Sequence, residues 1–135
     1  SQTDVDALIE ALKDGTIDMV TSDHNPLDIE HKKIEFDYAG YGSIGLESAF
    51  GALQTIFTTK KTIDILTKGK LRFGFEQTPI NIGNKLNITL FNPETKYTFS
   101  TKNIISKSKN AIFENEILKG KVYGIISNTK VSLNS

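Results

Sequence analysis

Hydrophobic residues recur three and four positions apart near the start of the chain, in the pattern of one apolar helix face. These positions are Val5, Leu8, Ile9 and Leu12. The pattern predicts a helix capped by Thr3 or Asp4 and ended by Gly15, because glycine readily adopts the left-handed conformation that follows a last helical turn. The short apolar run in TIDMVT then predicts a strand, which gives the helix–turn–strand order of a parallel-sheet unit.

A long polar connection over residues 22–45 separates this unit from a second amphipathic segment. The stretch GLESAFGALQTIFTT has the helical pattern again, with a wide apolar stripe. The stripe consists of Leu46, Ala49, Phe50, Leu53, Ile56 and Phe57. TIDILTKGKL predicts another short helix that ends near Gly69, so the first 70 residues have the alternating order of an α/β fold.

The pattern changes near residue 70, and from about residue 73 the chain predicts short strands between Gly, Asn and Pro residues. Apolar residues alternate strictly in KLNITL, and Asn92–Pro93 predicts a turn that closes this strand. YTFS, IIS and VYGIIS predict further strands. The chain therefore divides into an α/β part over residues 1–72 and a β-rich part over residues 73–135.

Two α/β units do not close a sheet, and the strand predicted in TIDMVT has no visible partner strand before it. We therefore expect the chain to be a piece of a larger protein. Such a piece leaves sheet edges and apolar helix faces uncovered, so we also expect self-association or a rearranged fold when it is isolated.

Composition narrows the possible chemistry. The chain contains no cysteine, which excludes disulfides and thiolate metal sites and fits a cytoplasmic protein. Sixteen basic residues balance sixteen acidic ones, so no net field favours nucleic acid or an anionic membrane, and we expect neither as a partner. With only two histidines, His24 and His31, the chain cannot form a multi-histidine metal site by itself.

The stretch VTSDHNPLDIEHKK places the carboxylate of Asp23 beside the imidazole of His24, just after a short apolar run. In α/β folds, the loops that leave the carboxyl ends of strands build active sites, and a loop as long as residues 22–45 is usually functional or disordered. Asp23 is therefore a candidate catalytic or metal-binding residue. The same residues also fit a polar turn in which the aspartate caps local backbone amides.

Four segments, in order along the chain, carry a resemblance to a known family. DGTIDMVTSDHNP resembles a signature written around S-D-H-A-P-H, and GSIGLESAFGAL resembles G-I-x-G-L-E-T-A-x. KLNITLFNPE resembles A-D-L-x-L-x-D-P, and SKSKNAIFENEILKGKVYGIISN resembles S-K-S-K-N-x-P-F-x-G-x-x-L-x-G-x-V-x-x-T-I-x-x-G. Together the segments resemble the dihydroorotases, and the S-K-S-K-N stretch favours these over other cyclic amidohydrolases.

The resemblance implies the C-terminal third of a dihydroorotase, whose fold is a metal-dependent (β/α)8 barrel with a small β domain built from both chain ends. Residues 1–72 would form the last units of the barrel, and residues 73–135 the C-terminal part of the small domain. The implied reaction is the zinc-dependent, reversible cyclisation of N-carbamoyl-L-aspartate to dihydroorotate in de novo pyrimidine biosynthesis. One or two zinc ions are implied, and their other ligands lie outside this chain.

The resemblance also assigns roles to individual residues. Asp23 matches the family's metal-bridging aspartate, which takes a proton from the attacking water and gives it to the leaving nitrogen. Gly42 matches a loop position whose backbone contacts the substrate. His24 is expected either to support the site or to be an ordinary hydrogen-bonded histidine, and His31, which matches no motif, is expected at the surface. Glu47 is expected to have a helix-dipole and capping role.

Some positions depart from the family motifs, namely Leu27, Gly40 and Asn87. Leu27 stands where the family has a histidine that binds the substrate carboxylate, and leucine can neither donate a hydrogen bond nor carry charge. Gly40 replaces a proline. If the protein is active, Asn25, one residue of the Lys32–Lys33 pair, or a group outside this chain would take over from the missing histidine.

Two interpretations remain open. The first is an active dihydroorotase with a rearranged substrate loop, whose other metal ligands lie upstream. The second is a catalytically silent homologue retained as a structural partner of aspartate transcarbamoylase. Either protein is expected to be a cytoplasmic homo-oligomer, and the 135-residue piece alone is expected to be inactive. Lys107 and Lys109 are expected to pin loops of the small domain and not to bind ligand.

Overall fold

The computed structural model describes residues 1–76 and 79–134. Its helices are α1 (Gln2–Asp14), α2 (Leu46–Ile56) and α3 (Thr59–Thr67), and its strands are β1 (Asn87–Thr98), β2 (Ile117–Ser127) and β3 (Lys130–Leu133). Short 3₁₀ turns lie at Phe36–Tyr38, Lys68–Phe73 and Thr101–Asn103. The fold is therefore a mixture of helix and sheet, and strands follow the helices in the second half of the chain, where the sequence predicts a β-rich part.

Contacts divide the chain into two compact units, each assembled from separated segments. The first unit comprises Ser1–Thr21, Phe57–Asn92 and Val122–Ser135, and the second comprises Ser22–Ile56 and Pro93–Lys121. β1 and β2 each contribute residues to both units. The division at residue 72 into a barrel part and a β-rich part stays a prediction.

α1 begins before the predicted caps, so the assignment of Thr3 or Asp4 as the cap is wrong. Ser1 precedes the helix, and Asp4 lies in its first turn. There the Asp4 carboxylate accepts a hydrogen bond from the Ser1 hydroxyl at 2.9 Å, and its negative charge is favourable at the helix N-terminus. The predicted end is confirmed, because Gly15 follows the last turn with a φ of 89°.

The strand predicted in TIDMVT is not formed in the part of the chain that the structure describes. Instead, the Val20 N–H donates to the Ile65 carbonyl at 3.1 Å, at the end of α3. A Cβ at Gly69 would come within 2.8 Å of the Met19 Cβ, so this segment packs closely against the turn that follows α3. A strand forms only where a neighbouring strand pairs its backbone groups, and here the neighbour is a helix end.

α3 and its surroundings form the buried part of the first unit. Leu12, Phe57 and Ile65 are buried there. α3 ends at Thr67, two residues before the predicted position, and the chain continues as the 3₁₀ turn Lys68–Phe73.

None of the described helices combines the length and the apolar character that a membrane-spanning helix requires.

α2 forms where the sequence predicts it, but it buries an unexpected face. Its buried residues are Ser48, Gly51 and Gln54, whereas Leu46 and Ile56 of the apolar stripe are 65% and 52% exposed. Gly51 allows close packing, since a Cβ there would lie 2.7 Å from the Tyr97 hydroxyl. The small and polar face of α2 thus packs against the strand segments of the second unit, and two residues of its apolar stripe, Leu46 and Ile56, stay exposed.

The sheet has the strand order β1–β2–β3, and β2 and β3 are antiparallel from the pair Gly124–Leu133 to the pair Ser127–Lys130. The turn predicted at Asn92–Pro93 is wrong, because β1 runs through both residues. β1 is an edge strand, where proline is tolerated because its missing N–H need not reach a partner strand. VYGIIS lies in β2 as predicted, whereas β3 was not predicted.

The core of the second unit gathers residues from its loops and strands. The buried residues are Ile44, Phe99, Ile104 and Leu118, with Ala52, Tyr97, Ala111 and Phe113 packed against them. The strand predicted in IIS, residues 104–106, is wrong. Ile104 follows a 3₁₀ turn and is buried in the core, whereas Ile105 is 85% exposed. Only Ile104 of this apolar pair therefore anchors the segment in the core.

The open stripe of α2 leads to a prediction about association. We expect the isolated chain to self-associate, and the double substitution Leu46→Gln and Ile56→Gln to shift it towards the monomer, because each apolar side chain removed from water stabilises association by about 1.5–3 kcal/mol. Light scattering across a concentration series measures this. Ile105→Gln, at an exposed apolar position away from α2, is the control. A monodisperse parent chain at high concentration contradicts the prediction.

Candidate active site

Asp23 lies in the second unit with an uncommon backbone conformation. Its φ is 44°, in the left-handed region that non-glycine residues seldom adopt, and its side chain is exposed. The residues that follow are held firmly: His24 forms a parallel bridge with Ser43, and the Asn25 N–H donates to the Ser43 carbonyl at 2.9 Å. The carboxylate is therefore presented to solvent from a fixed backbone, as a reactive group requires.

His24 caps the N-terminus of α2. Its Nδ1 accepts hydrogen bonds from the N–H groups of Gly45 at 3.2 Å and Leu46 at 3.3 Å. An acceptor at Nδ1 places the ring proton on Nε2, which is the tautomer that this network requires. His24 thus joins the Asp23 loop to the start of α2. Its support of the site itself stays a prediction.

Gly42 lies directly beside the residues that follow Asp23. Its φ is 144°, and a Cβ there would lie 2.6 Å from Asn25 Nδ2 and 2.8 Å from the Asn25 carbonyl, so no other residue fits without a shift. The Asn25 side chain donates to the Tyr41 carbonyl at 3.1 Å. The structure therefore brings together the loops of both predicted site residues, Asp23 and Gly42.

Two positions that depart from the motifs contact each other. A Cβ at Gly40 would lie 2.8 Å from the Leu27 Cδ1, so the leucine occupies space that a side chain at position 40 would need. Lys32 Nζ donates to the Gly40 carbonyl at 2.6 Å. Leu27 and Lys32 both line an open hollow of about 800 Å³, whose other charged lining residues are Lys107, Lys109, Asp28 and Glu114.

The groups suggested as replacements for the missing histidine differ in their surroundings. Asn25 uses its amide to hold Tyr41, and Lys33 is exposed and does not line the hollow. Lys32 is half-buried, lines the hollow beside Leu27, and keeps donor capacity because an ammonium has three N–H groups. Among these three residues, Lys32 has the position that suits an anion.

Glu47 has contacts that the sequence did not reveal. Its Oε1 accepts a hydrogen bond from the Ser106 N–H at 2.9 Å, and its Oε2 lies 3.9 Å from His24 Nδ1. Oε2 is buried and lacks a hydrogen-bond partner among the described residues. The interpretation of Glu47 as a dipole residue was thus incomplete, because it also ties α2 to the SKSKN stretch. GLE and SKSKN both belong to the family motifs, and this was the indication in the sequence that the two stretches act together.

The SKSKN stretch itself is pinned by side chains. Lys109 Nζ donates to the carbonyls of Ile104 and Ser106, both at 2.9 Å, so it pins this loop as predicted. Asn110, which the sequence analysis overlooked, donates through Nδ2 to the Gly42 carbonyl at 2.7 Å. For Lys107, a pinning role stays a prediction.

Metal binding by this chain alone is not supported by its donor set. Among the described residues, no group of three or more His, Asp or Glu side chains could hold a metal ion. Asp23 offers a carboxylate, but the Nδ1 of its neighbour His24 is already engaged by two amides. A metal at Asp23 would need ligands from elsewhere.

No family model matches the chain. Named relatives do: it is 35% identical over 138 aligned residues to the dihydroorotase of Caldicellulosiruptor saccharolyticus, covering 97% of this chain and 32% of the relative. It is 36% identical to the dihydroorotase of Chlorobaculum tepidum, covering 93% of this chain and 30% of that protein. The chain is homologous to one segment of the dihydroorotases. It spans about one third of the length of these curated relatives.

The fold supports the same superfamily. A D-hydantoinase (dihydropyrimidinase) from Thermus sp. matches with a TM-score of 0.81 and 25% identity, covering 96% of this chain and 31% of that chain. The departures at Leu27 and Gly40 therefore occur in a chain that is similar in sequence to dihydroorotases and in fold to a D-hydantoinase. The expectation for His31 is confirmed, because this residue lies at the surface.

The pKa of His31 gives a testable property of this loop. Its Nδ1 lies 2.6 Å from the Asp28 Oδ1, and this hydrogen bond raises the pKa of the imidazole and lowers that of the carboxyl. The interaction favours the folded loop below the ordinary histidine pKa and is lost as the pH rises through the raised pKa. We expect Asp28→Asn to lower the His31 pKa in an NMR titration. Glu30→Gln is the control, with a smaller effect; an unchanged pKa in Asp28→Asn contradicts the assignment.

Proposed function

We propose that the full-length protein is a zinc-dependent dihydroorotase, which reversibly cyclises N-carbamoyl-L-aspartate to dihydroorotate in de novo pyrimidine biosynthesis. The observation that carries the proposal is the 35% identity to a named dihydroorotase over 97% of this chain. The fold likeness to a D-hydantoinase supports a hydrolase that opens and closes cyclic amides. The proposal includes a cytoplasmic homo-oligomer whose barrel ends with residues 1–72.

Asp23 is the residue to which we assign proton transfer. In the hydrolytic direction, water adds to the ring carbonyl, the carbon–nitrogen bond breaks, and one proton moves from the water to the leaving nitrogen. A carboxylate can accept this proton and then donate it, provided that it reaches both atoms. The exposure of Asp23 and its fixed backbone support this role.

Zinc enters the proposal with ligands from outside this chain. Since the described residues hold no cluster of three metal-binding side chains, Asp23 would share one or two zinc ions with groups elsewhere in the full-length protein. The steps assigned to Asp23 use only its own carboxylate. Accordingly, we propose that the 135-residue piece has no activity of its own.

Gly42 is the residue to which we assign contact with the substrate. Its carbonyl accepts a hydrogen bond from Asn110, so we assign the contact to its N–H group. The absence of a side chain allows the backbone to approach both Asn25 and a ligand closely.

A second candidate function is a catalytically silent homologue that acts as a structural partner of aspartate transcarbamoylase. The observation that favours it is Leu27, because an apolar side chain stands at the position of a substrate-binding histidine. In this case the upstream metal ligands would be absent as well. Dihydroorotate turnover by the full-length protein distinguishes the two candidates.

We expect Asp23→Asn in the zinc-loaded, full-length protein to lower kcat for dihydroorotate hydrolysis by about 10²- to 10⁴-fold, because the amide keeps the shape but cannot accept the proton. A spectrophotometric assay of ring opening measures the rate. Asp37→Asn is the matched control, since Asp37 is also exposed but lies in the 3₁₀ turn Phe36–Tyr38. Equal rates for Asp23→Asn and the parent protein would rule out the assigned role.

Lys32 is the residue that we propose as the anchor of the substrate carboxylate. We expect Lys32→Met to raise KM for dihydroorotate by about 10- to 100-fold, because the substrate carboxylate would lose its charged partner. KM for dihydrouracil, the same ring without the carboxylate, should not change. Lys33→Met is the matched control. An equal effect of Lys32→Met on both substrates contradicts the assignment.

A further inference from the structure

We propose that Asn110 is a positioning residue that holds the Gly42 loop, and through it the Asp23 loop, in the geometry needed to bind substrate. The proposal rests on the function proposed above. Asn110 holds residues 42–44 at two points: its Nδ2 donates to the Gly42 carbonyl at 2.7 Å, and its own carbonyl accepts from the Ile44 N–H at 2.9 Å. One residue thus fixes both ends of this short segment.

The segment that Asn110 holds is also the support of the Asp23 loop. Ser43 forms the bridge to His24, and its carbonyl accepts from the Asn25 N–H at 2.9 Å. Ile44 forms a second parallel bridge, to Ala111. Residues 42–44 are therefore the middle of three extended segments, with residues 24–25 on one side and residues 110–111 on the other.

The segment that contains Asn110 is anchored well enough to act as a support. Ile104, near its start, is only 6% exposed and belongs to the core, and Ala111, at its end, packs against that core. The Lys109 ammonium donates hydrogen bonds to the Ile104 and Ser106 carbonyls, and the Glu47 carboxylate accepts one from the Ser106 N–H. Displacement of Gly42 would therefore require either loss of the Asn110 bond or movement of a core-anchored segment.

The backbone conformations at the site explain why such a support is needed. Asp23 has a φ of 44° and Gly42 a φ of 144°, and the first of these is an uncommon conformation for a residue with a side chain. Such conformations persist where the surrounding structure holds them. The Asn110 amide supplies one of the holding interactions, and its loss should let the Gly42 carbonyl and the adjoining peptide groups rotate.

The position of Asn110 also makes a specific test possible. Its side chain is exposed, so substitution opens no core cavity. Asn110→Asp keeps the size of the side chain but replaces the donating amide with an acceptor, which repels the Gly42 carbonyl. The matched control is Asn103→Asp, because Asn103 is exposed and acts through Oδ1 as an acceptor from the Ser100 N–H at 2.9 Å, a role that aspartate retains.

In the full-length protein we expect Asn110→Asp to raise KM for dihydroorotate by about tenfold, with a smaller change in kcat, because the Gly42 carbonyl loses its donor and the loop loses its support. Amide hydrogen exchange over residues 39–45 should become faster, while Asn103→Asp changes neither quantity. Unchanged KM and unchanged exchange in Asn110→Asp overturn the inference, even if the parent protein turns over dihydroorotate.

The two proposals fail separately in this experiment. If the parent protein does not turn over dihydroorotate, but Asn110→Asp alone accelerates exchange over residues 39–45, the positioning role stands and the proposed function fails. If Asn110→Asp lowers thermal stability without affecting exchange in that segment or KM, Asn110 is merely structural and the positioning role is wrong.

Discussion

The pairing of residues 42–44 with neighbours on both sides is the constraint on which the candidate site depends. On one side Ser43 pairs with His24, and on the other Ile44 pairs with Ala111. A backbone whose groups are satisfied from both sides cannot shift without leaving polar groups unpaired, which is costly. This explains how residues 22–45, a long stretch without helix or strand apart from one short turn, can present Asp23 in a defined conformation.

α2 connects these paired segments to the rest of the second unit, and its two faces have different surroundings. Its small and polar face, with Ser48, Gly51 and Gln54, packs within the second unit, while Leu46 and Ile56 stay exposed. An amphipathic helix ordinarily buries its apolar stripe. Leu46 and Ile56, the first and last residues of α2, therefore leave apolar surface exposed. His24 and Glu47 then tie the start of this helix to the site.

The sequence predicts features that depend on local physics and misses those that depend on partners. Helix periodicity located α1 and α2, and Gly15 marked a helix end through its own conformational freedom. The apolar run of TIDMVT predicts a strand, but a strand forms only where a neighbouring strand pairs with it. Asn92–Pro93 predicts a turn, although an edge strand also accommodates a proline. The Asp23 motif was recognisable from its residues, whereas Asn110 acts through a carbonyl 68 positions away along the chain, which no local pattern indicates.

The contact between Leu27 and Gly40 bears on whether the site has decayed or has been rebuilt. Considered singly, a leucine in place of a histidine removes an anchor, and a glycine in place of a proline loosens a loop. In the structure the two positions lie against each other, because a Cβ at position 40 would lie 2.8 Å from the Leu27 Cδ1. The Gly40 carbonyl also accepts a hydrogen bond from the Lys32 ammonium at 2.6 Å. A cation at this position agrees with the carboxylate anchor proposed above, and a degenerate loop would not require one.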